Sequence, residues 1–162
     1  MMARLPHLSD EEWLQEVREA HAIRAAFYYG IFCELRESYG EEAAMTHIGK
    51  VCRQMGLKKR KRYLPEIGDG TPKEFCSYFC DHGSVNNKVF EMEPAGETAL
   101  LKRCALVDGW QAQGVPKDDI AKLCKAAREV DHGTLEGLGL TGEFTSLMSE
   151  GADCCTLKVK KV

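Results

Sequence analysis

Nowhere does this 162-residue sequence hold the ~20 consecutive apolar residues that a membrane-spanning helix needs. Neither sign of charge dominates. Twenty-two Lys and Arg stand against 25 Asp and Glu, a formal net charge of −3, so no global basic field is available to draw in nucleic acid. The opening stretch, Met1 to Trp13, lacks the apolar core of a signal peptide because Asp10, Glu11 and Glu12 arrive at once. There is no internal repeat, no low-complexity tract and no Cys-x2-Cys pair of the kind common zinc modules use. These absences argue against a membrane or nucleic-acid partner and lead us to expect a soluble protein of the cytoplasm. A homo-oligomer is left open.

Cysteine, by contrast, is plentiful, with eight residues. Disulfide-dense scaffolds are small secreted chains that cannot build a core, whereas a chain this long buries roughly 70% of its unfolded surface. The cysteines are therefore expected as thiols. Cys33, Cys52, Cys104 and Cys124 each lie among apolar neighbours, where a thiol behaves as a small hydrophobe. The adjacent Cys154 and Cys155 should point to opposite faces of a strand.

The spacing of apolar residues gives the organisation. Ser9 with Glu12 forms a capping box, and apolar residues recur at helical spacing from Trp13 to Leu35, with Gly40 as the stop. A second helix is predicted from Glu41 to Met55, closed by Gly56, which makes an antiparallel helical hairpin. The basic run Lys58-Lys59-Arg60-Lys61-Arg62 and the segment Gly68-Asp69-Gly70 read as a polar linker. Thr71-Pro72 opens a short helix to about Cys80. A hairpin follows, from Val89 through the turn at Pro94 and Gly96 to Cys104, then a helix over 105–113. One continuous helix is predicted from Pro116 to about Leu138, and a last hairpin from Phe144 to Val162. The fold class is thus α+β in a single domain: an N-terminal helical hairpin (the helical half being about 1–82) packed with a C-terminal antiparallel sheet of two hairpins and intervening helices (about 83–162).

Chemistry concentrates in the second half. Cys124 and Asp131 are seven apart, two helical turns, and so share a side of one helix. A carboxylate on an apolar helical face needs a partner or a job, because burying it alone is expensive. The bland alternative is that the thiols pack and Asp131 holds a backbone amide. His132 is turned away by ~100°. His21 on the first helix reads as a hydrogen-bonded core residue or as a pocket-lining one. Cys76-x3-Cys80-x-His82 gives at most three metal ligands, with Cys52 or His47 as completing candidates. No cofactor is expected, though zinc or another divalent metal is left open there.

Three stretches carry a resemblance: Arg103-Cys104-Ala105-Leu106-Val107-Asp108-Gly109-Trp110; Leu123-Cys124 with Val130-Asp131-His132-Gly133; and Glu150-Gly151-Ala152-Asp153-Cys154-Cys155-Thr156-Leu157. Together with Tyr29-Gly30 and Tyr39-Gly40-Glu41-Glu42-Ala43 they resemble the L-2-amino-thiazoline-4-carboxylic acid hydrolase-like family. The resemblance covers most of the chain and is most specific over its last 60 residues or so. It implies a hydrolase that opens the ring of a cyclic cysteine-derived amidine to a carbamoyl-cysteine, with Cys104, Cys124, Asp131 and Cys154 at the matching positions. Such a ring opening needs a nucleophile, which Cys104 or Cys155 could supply, and a proton carrier, which Asp131 could be. It also needs a cation for the substrate carboxylate, for which Arg103 is the candidate. Arg103 should face away from Cys104 if both lie on a strand. His132, His21 and Cys154 complete the candidate substrate-binding set. A non-catalytic module binding a small ligand or metal is the alternative.

Overall fold

The computed structural model describes residues 8–68, 70–81 and 85–162. Helix α1 spans Asp10–Tyr39. Its start is the expected capping box: the Glu12 N–H donates to the Ser9 hydroxyl at 3.3 Å, and the Ser9 N–H to the Glu12 carboxylate at 2.8 Å. Gly40 separates it from α2, Glu41–Ile67, which runs twelve residues past the predicted end at Met55. Two physical reasons account for the difference. Lys and Arg are good helix formers, so the basic run is helix and not linker. Gly56 is a mid-helix contact point, and the chain turns only at Gly68, where φ is +54°.

Helix α3, Pro72–Asp81, carries a second capping box, between Thr71 and Glu74. Helix α4 follows, Val85–Phe90, where a strand was expected from Val89. Glu91, at φ +48°, then redirects the backbone into β1, Met92–Ala95. A tight turn at Gly96 leads to β2, Thr98–Leu101, so the first hairpin is shorter than expected. Helix α5 is Ala105–Ala112. The predicted long helix is two, α6 at Lys117–Ala127 and α7 at Glu129–Glu136. They part at Arg128, whose carbonyl accepts from the Asp131 N–H three residues on, a tightening that ends the regular ladder. Strand β3, Leu140–Ser146, a 3-10 turn at Met148–Glu150, and β4, Cys155–Lys161, close the chain.

The sheet is antiparallel throughout, in the order β1-β2-β4-β3, so the two hairpins join edge to edge through β2 and β4. This is the α+β architecture anticipated from the sequence. Two apolar clusters hold it together. One gathers Phe32, Ile48, Cys52, Trp110 and Leu123 from α1, α2, α5 and α6. The other gathers Tyr63, Phe75, Phe79, Leu135 and Leu157 from α2, α3, α7 and the sheet. The buried indole of Trp110 donates to the Ala25 carbonyl at 2.8 Å, fastening α5 to α1. Helix α2 belongs to both clusters, and the site lies where they meet.

Candidate functional site

Between the two clusters lies a cavity of about 190 Å³. Helix α1 contributes His21 and Arg24 to its wall, and α2 contributes Lys59, Arg62 and Tyr63. Cys104 comes from the position that caps α5, Cys124 and Arg128 from α6 and its end, Asp131 from α7 and Cys155 from the start of β4. Phe79, Phe90, Met92 and Phe144 add apolar wall. Three thiols, one carboxyl and four cations thus face one small space.

Asp131 has the environment that matters most. Among the described residues no hydrogen bond or ion pair engages its carboxylate. Burial holds its pKa above the ordinary carboxylate value, opposed by the charges of Lys59, His132 and Arg24. A carboxyl so placed retains its proton more readily than an ordinary one, which suits a group that passes a proton to a leaving atom.

The thiols are buried in the same sense. Burial pushes Cys104 up to about 12, while the Val107 and Leu106 amides at the start of α5 pull it down. It pushes Cys155 up to about 11 against the Met148 N–H, which donates to its sulfur at 3.3 Å. Burial raises Cys124 as well, with the Ser149 hydroxyl acting the other way. Of the three, Cys104 sits at the amide-rich end of a helix, where a thiolate is stabilised as it forms.

The cations come from places the sequence reading passed over. Lys59 and Arg62, three apart in the basic run, share one side of α2. Arg24 lies over the Tyr28 ring at 5.6 Å and Arg128 over the Phe144 ring at 5.7 Å. Among the described residues none of the four is ion-paired, whereas other cations are, as in Arg36 with Asp119 at 3.1 Å and Arg53 with Glu129 at 2.7 Å. The i, i+3 spacing next to Tyr63 was the available signal, hidden by the expectation of a linker.

Of the residues singled out from the sequence, Cys104, Cys124, Asp131, Cys155 and His21 meet in the cavity. Cys124 and Asp131 do so although their helix is broken between them. His21 also meets the Phe90 ring edge-on. Arg103 does not line the cavity: it pairs with Asp108 at 2.8 Å on the surface. Since β2 ends at Leu101, the two residues part in the loop before α5 and not by strand alternation. Cys154 lies outside, 3.7 Å from the Thr156 hydroxyl. His132 turns its ring edge-on to Phe144 and acts on Asp131 only through its charge.

Cys76 and Cys80 are buried in the second cluster, pushed up to about 11 and about 12 by that burial. Cys52, a suggested companion, belongs to the first cluster and lies 3.3 Å from the Tyr28 hydroxyl. His47 is exposed, and His82 lies outside the described residues. No group of three or more metal-ligating side chains is assembled among the described residues. All eight cysteines are free thiols.

Fold and site together define an α+β protein built round a thiol- and carboxyl-bearing cavity with a cationic wall. The sequence profile of the L-2-amino-thiazoline-4-carboxylic acid hydrolase family matches residues 20–159, and the chain belongs to that family. The family carries the name of a hydrolase. No curated protein matches the chain. No helix among the described residues is long and apolar enough to cross a membrane.

Proposed function

We propose that this chain hydrolyses a small cyclic amidine that carries a carboxylate, with L-2-amino-thiazoline-4-carboxylate as the first candidate. The observation that carries the proposal is the Asp131 carboxyl, engaged by no hydrogen bond or ion pair among the described residues, in a cavity where the other charged wall residues described are all cations. Such a substrate bears a carboxylate at one end and a protonatable amidine at the other. Lys59, Arg62, Arg24 and Arg128 supply the counter-charge for the first, and Asp131 the proton-transfer partner for the second.

In overall balance one water is consumed. Its oxygen becomes bonded to the carbon between sulfur and nitrogen, one ring bond to that carbon breaks, and the departing ring atom takes a proton. Asp131 gives that proton and recovers one from the attacking group. Cys104 is the nucleophile the surroundings favour, since the Leu106 and Val107 amides face it. As its sulfur bonds to that carbon, its thiol proton replaces the one Asp131 gives to the departing ring atom, leaving an isothiourea on sulfur. Water then adds to the same carbon and expels the thiol, its oxygen staying as the carbamoyl oxygen. The amidine, being basic, helps draw that proton from a thiol that burial otherwise keeps protonated.

One observation favours a second reading. The three cavity thiols are all raised and none is poised as a thiolate in the free protein, which suits a non-catalytic small-acid binding module equally well. Incubation of the purified protein with the thiazoline acid, following loss of ring absorbance and the product mass, separates the two. Catalysis gives a product heavier than substrate by one water. Saturable binding without that mass change supports the binding module.

A further inference from the structure

Apart from the cavity, the most unusual surface is apolar. Ile23, Phe27 and Ile31 on α1 are 61%, 68% and 50% exposed, and Val51 and Met55 on α2 are 57% and 48% exposed. Spacing of four puts the first three on one stripe of α1 and the last two on one stripe of α2. The stripes are neighbours. Tyr28 and Cys52 meet at 3.3 Å on the core side of the α1–α2 seam, and Phe27 and Val51 are each the next residue toward solvent. The opposite faces of these helices are taken, α1 by α5 and α2 by α7. A contiguous patch of this kind on one side of a protein marks an interaction surface.

We propose that a second copy of this chain covers the seam, two α1–α2 hairpins closing into a four-helix bundle. Charge selects the occupant. Exposed Glu16 and Glu34 flank the α1 stripe, and exposed Lys50, Lys58 and Lys61 flank the α2 stripe. Among the described residues none of these five is in an ion pair. A two-fold axis running along the helices lays α1 of one copy antiparallel on α2 of the other, which sets carboxylates against ammoniums on both edges. The perpendicular two-fold would set α1 on α1 and bring like charges together. The surface is therefore self-complementary, as an isologous dimer requires. Phe27, the most exposed of the five, fills the centre.

Light scattering coupled to size exclusion, across the micromolar range, reads the result. We expect the wild-type chain to run as a dimer. Phe27→Glu and, separately, Val51→Glu should weaken the dimer roughly tenfold or more, with unchanged circular dichroism and melting temperature extrapolated to the monomer. Lys58→Glu with Lys61→Glu should weaken it too, and adding Glu16→Lys with Glu34→Lys should restore it. A wild-type chain that stays monomeric overturns the proposal, as does a dimer indifferent to both Phe27→Glu and Val51→Glu. None of these side chains lines the cavity, so a monomeric wild type would leave the hydrolase reading standing.

Discussion

The backbone of Gly56 in the middle of α2 rests on that of Gly133 in α7. A Cβ on Gly56 would strike the Val130 carbonyl and the Thr134 amide, and a Cβ on Gly133 would strike the Arg53 carbonyl. This close approach sets the distance between the two helices that carry Lys59 and Asp131 into the cavity.

Gly56→Ala and Gly133→Ala should each destabilise the protein. Alanine gains about 1 kcal/mol in helix propensity, but overpacking costs about 1–3 kcal/mol and backbone cannot step aside as a side chain can. We expect a net loss of up to about 2 kcal/mol in urea denaturation, accompanied by a shifted α7. Neutral or stabilised variants would show that the helices separate at no cost.

Asp131→Asn should abolish turnover and raise stability at neutral pH. The folded-state pKa of this acid lies above its ordinary 3.8. Between the two values the folded state holds a proton that the unfolded state has lost, so stability falls as pH rises through that window and stays lower above it. Asparagine removes the penalty. Thermal melts of both proteins at neutral pH and near pH 4 should therefore converge on acidification, the variant being the more stable at neutral pH.

Alkylation should spare the cavity thiols. With Cys104 pushed up to about 12 and Cys155 to about 11, iodoacetamide should label both slowly at neutral pH and faster by roughly tenfold per pH unit. Peptide mass spectrometry of timed samples gives the order of labelling. Cys104→Ser should keep the fold and lose activity. Rapid neutral labelling of Cys104 in the free protein would contradict the buried environment described for it.

Lys59→Gln and Arg62→Gln test the cationic wall. A charge-assisted hydrogen bond to the substrate carboxylate contributes about 1.5–3 kcal/mol, so each variant should lose about 10–100-fold in kcat/KM. The loss should shrink for a substrate amide that lacks the carboxylate. Arg103→Gln, which frees Asp108 and Glu91 at the surface, should change kcat/KM little.

Much of this was open to reading from the residues. Ser9 with Glu12, and Thr71-Pro72, fixed two helix starts because capping is local chemistry. The grouping of Cys104, Cys124, Asp131 and Cys155 was legible through motif and spacing. What escaped depended on partners distant in sequence. Gly56 looked like a helix stop because nothing local reveals that α7 comes to lie against it. Lys59 and Arg62 looked like solvated linker because a charge run carries no sign of the burial that Tyr63, next to them, makes in the second cluster. Val89 and Phe90 suit a strand locally, yet Val89 is fully buried in helix α4. Arg103 was chosen for its charge and its place before Cys104, and its surface partners Asp108 and Glu91 hold it instead.

The central claim is tested most directly by turnover of L-2-amino-thiazoline-4-carboxylate by wild type and Asp131→Asn side by side in isotopically heavy water. The account predicts ring loss by the wild type, one heavy oxygen in the carbamoyl product, and no product from a variant that melts no lower. Equal rates from the two proteins, or no product from a folded wild type, would contradict it.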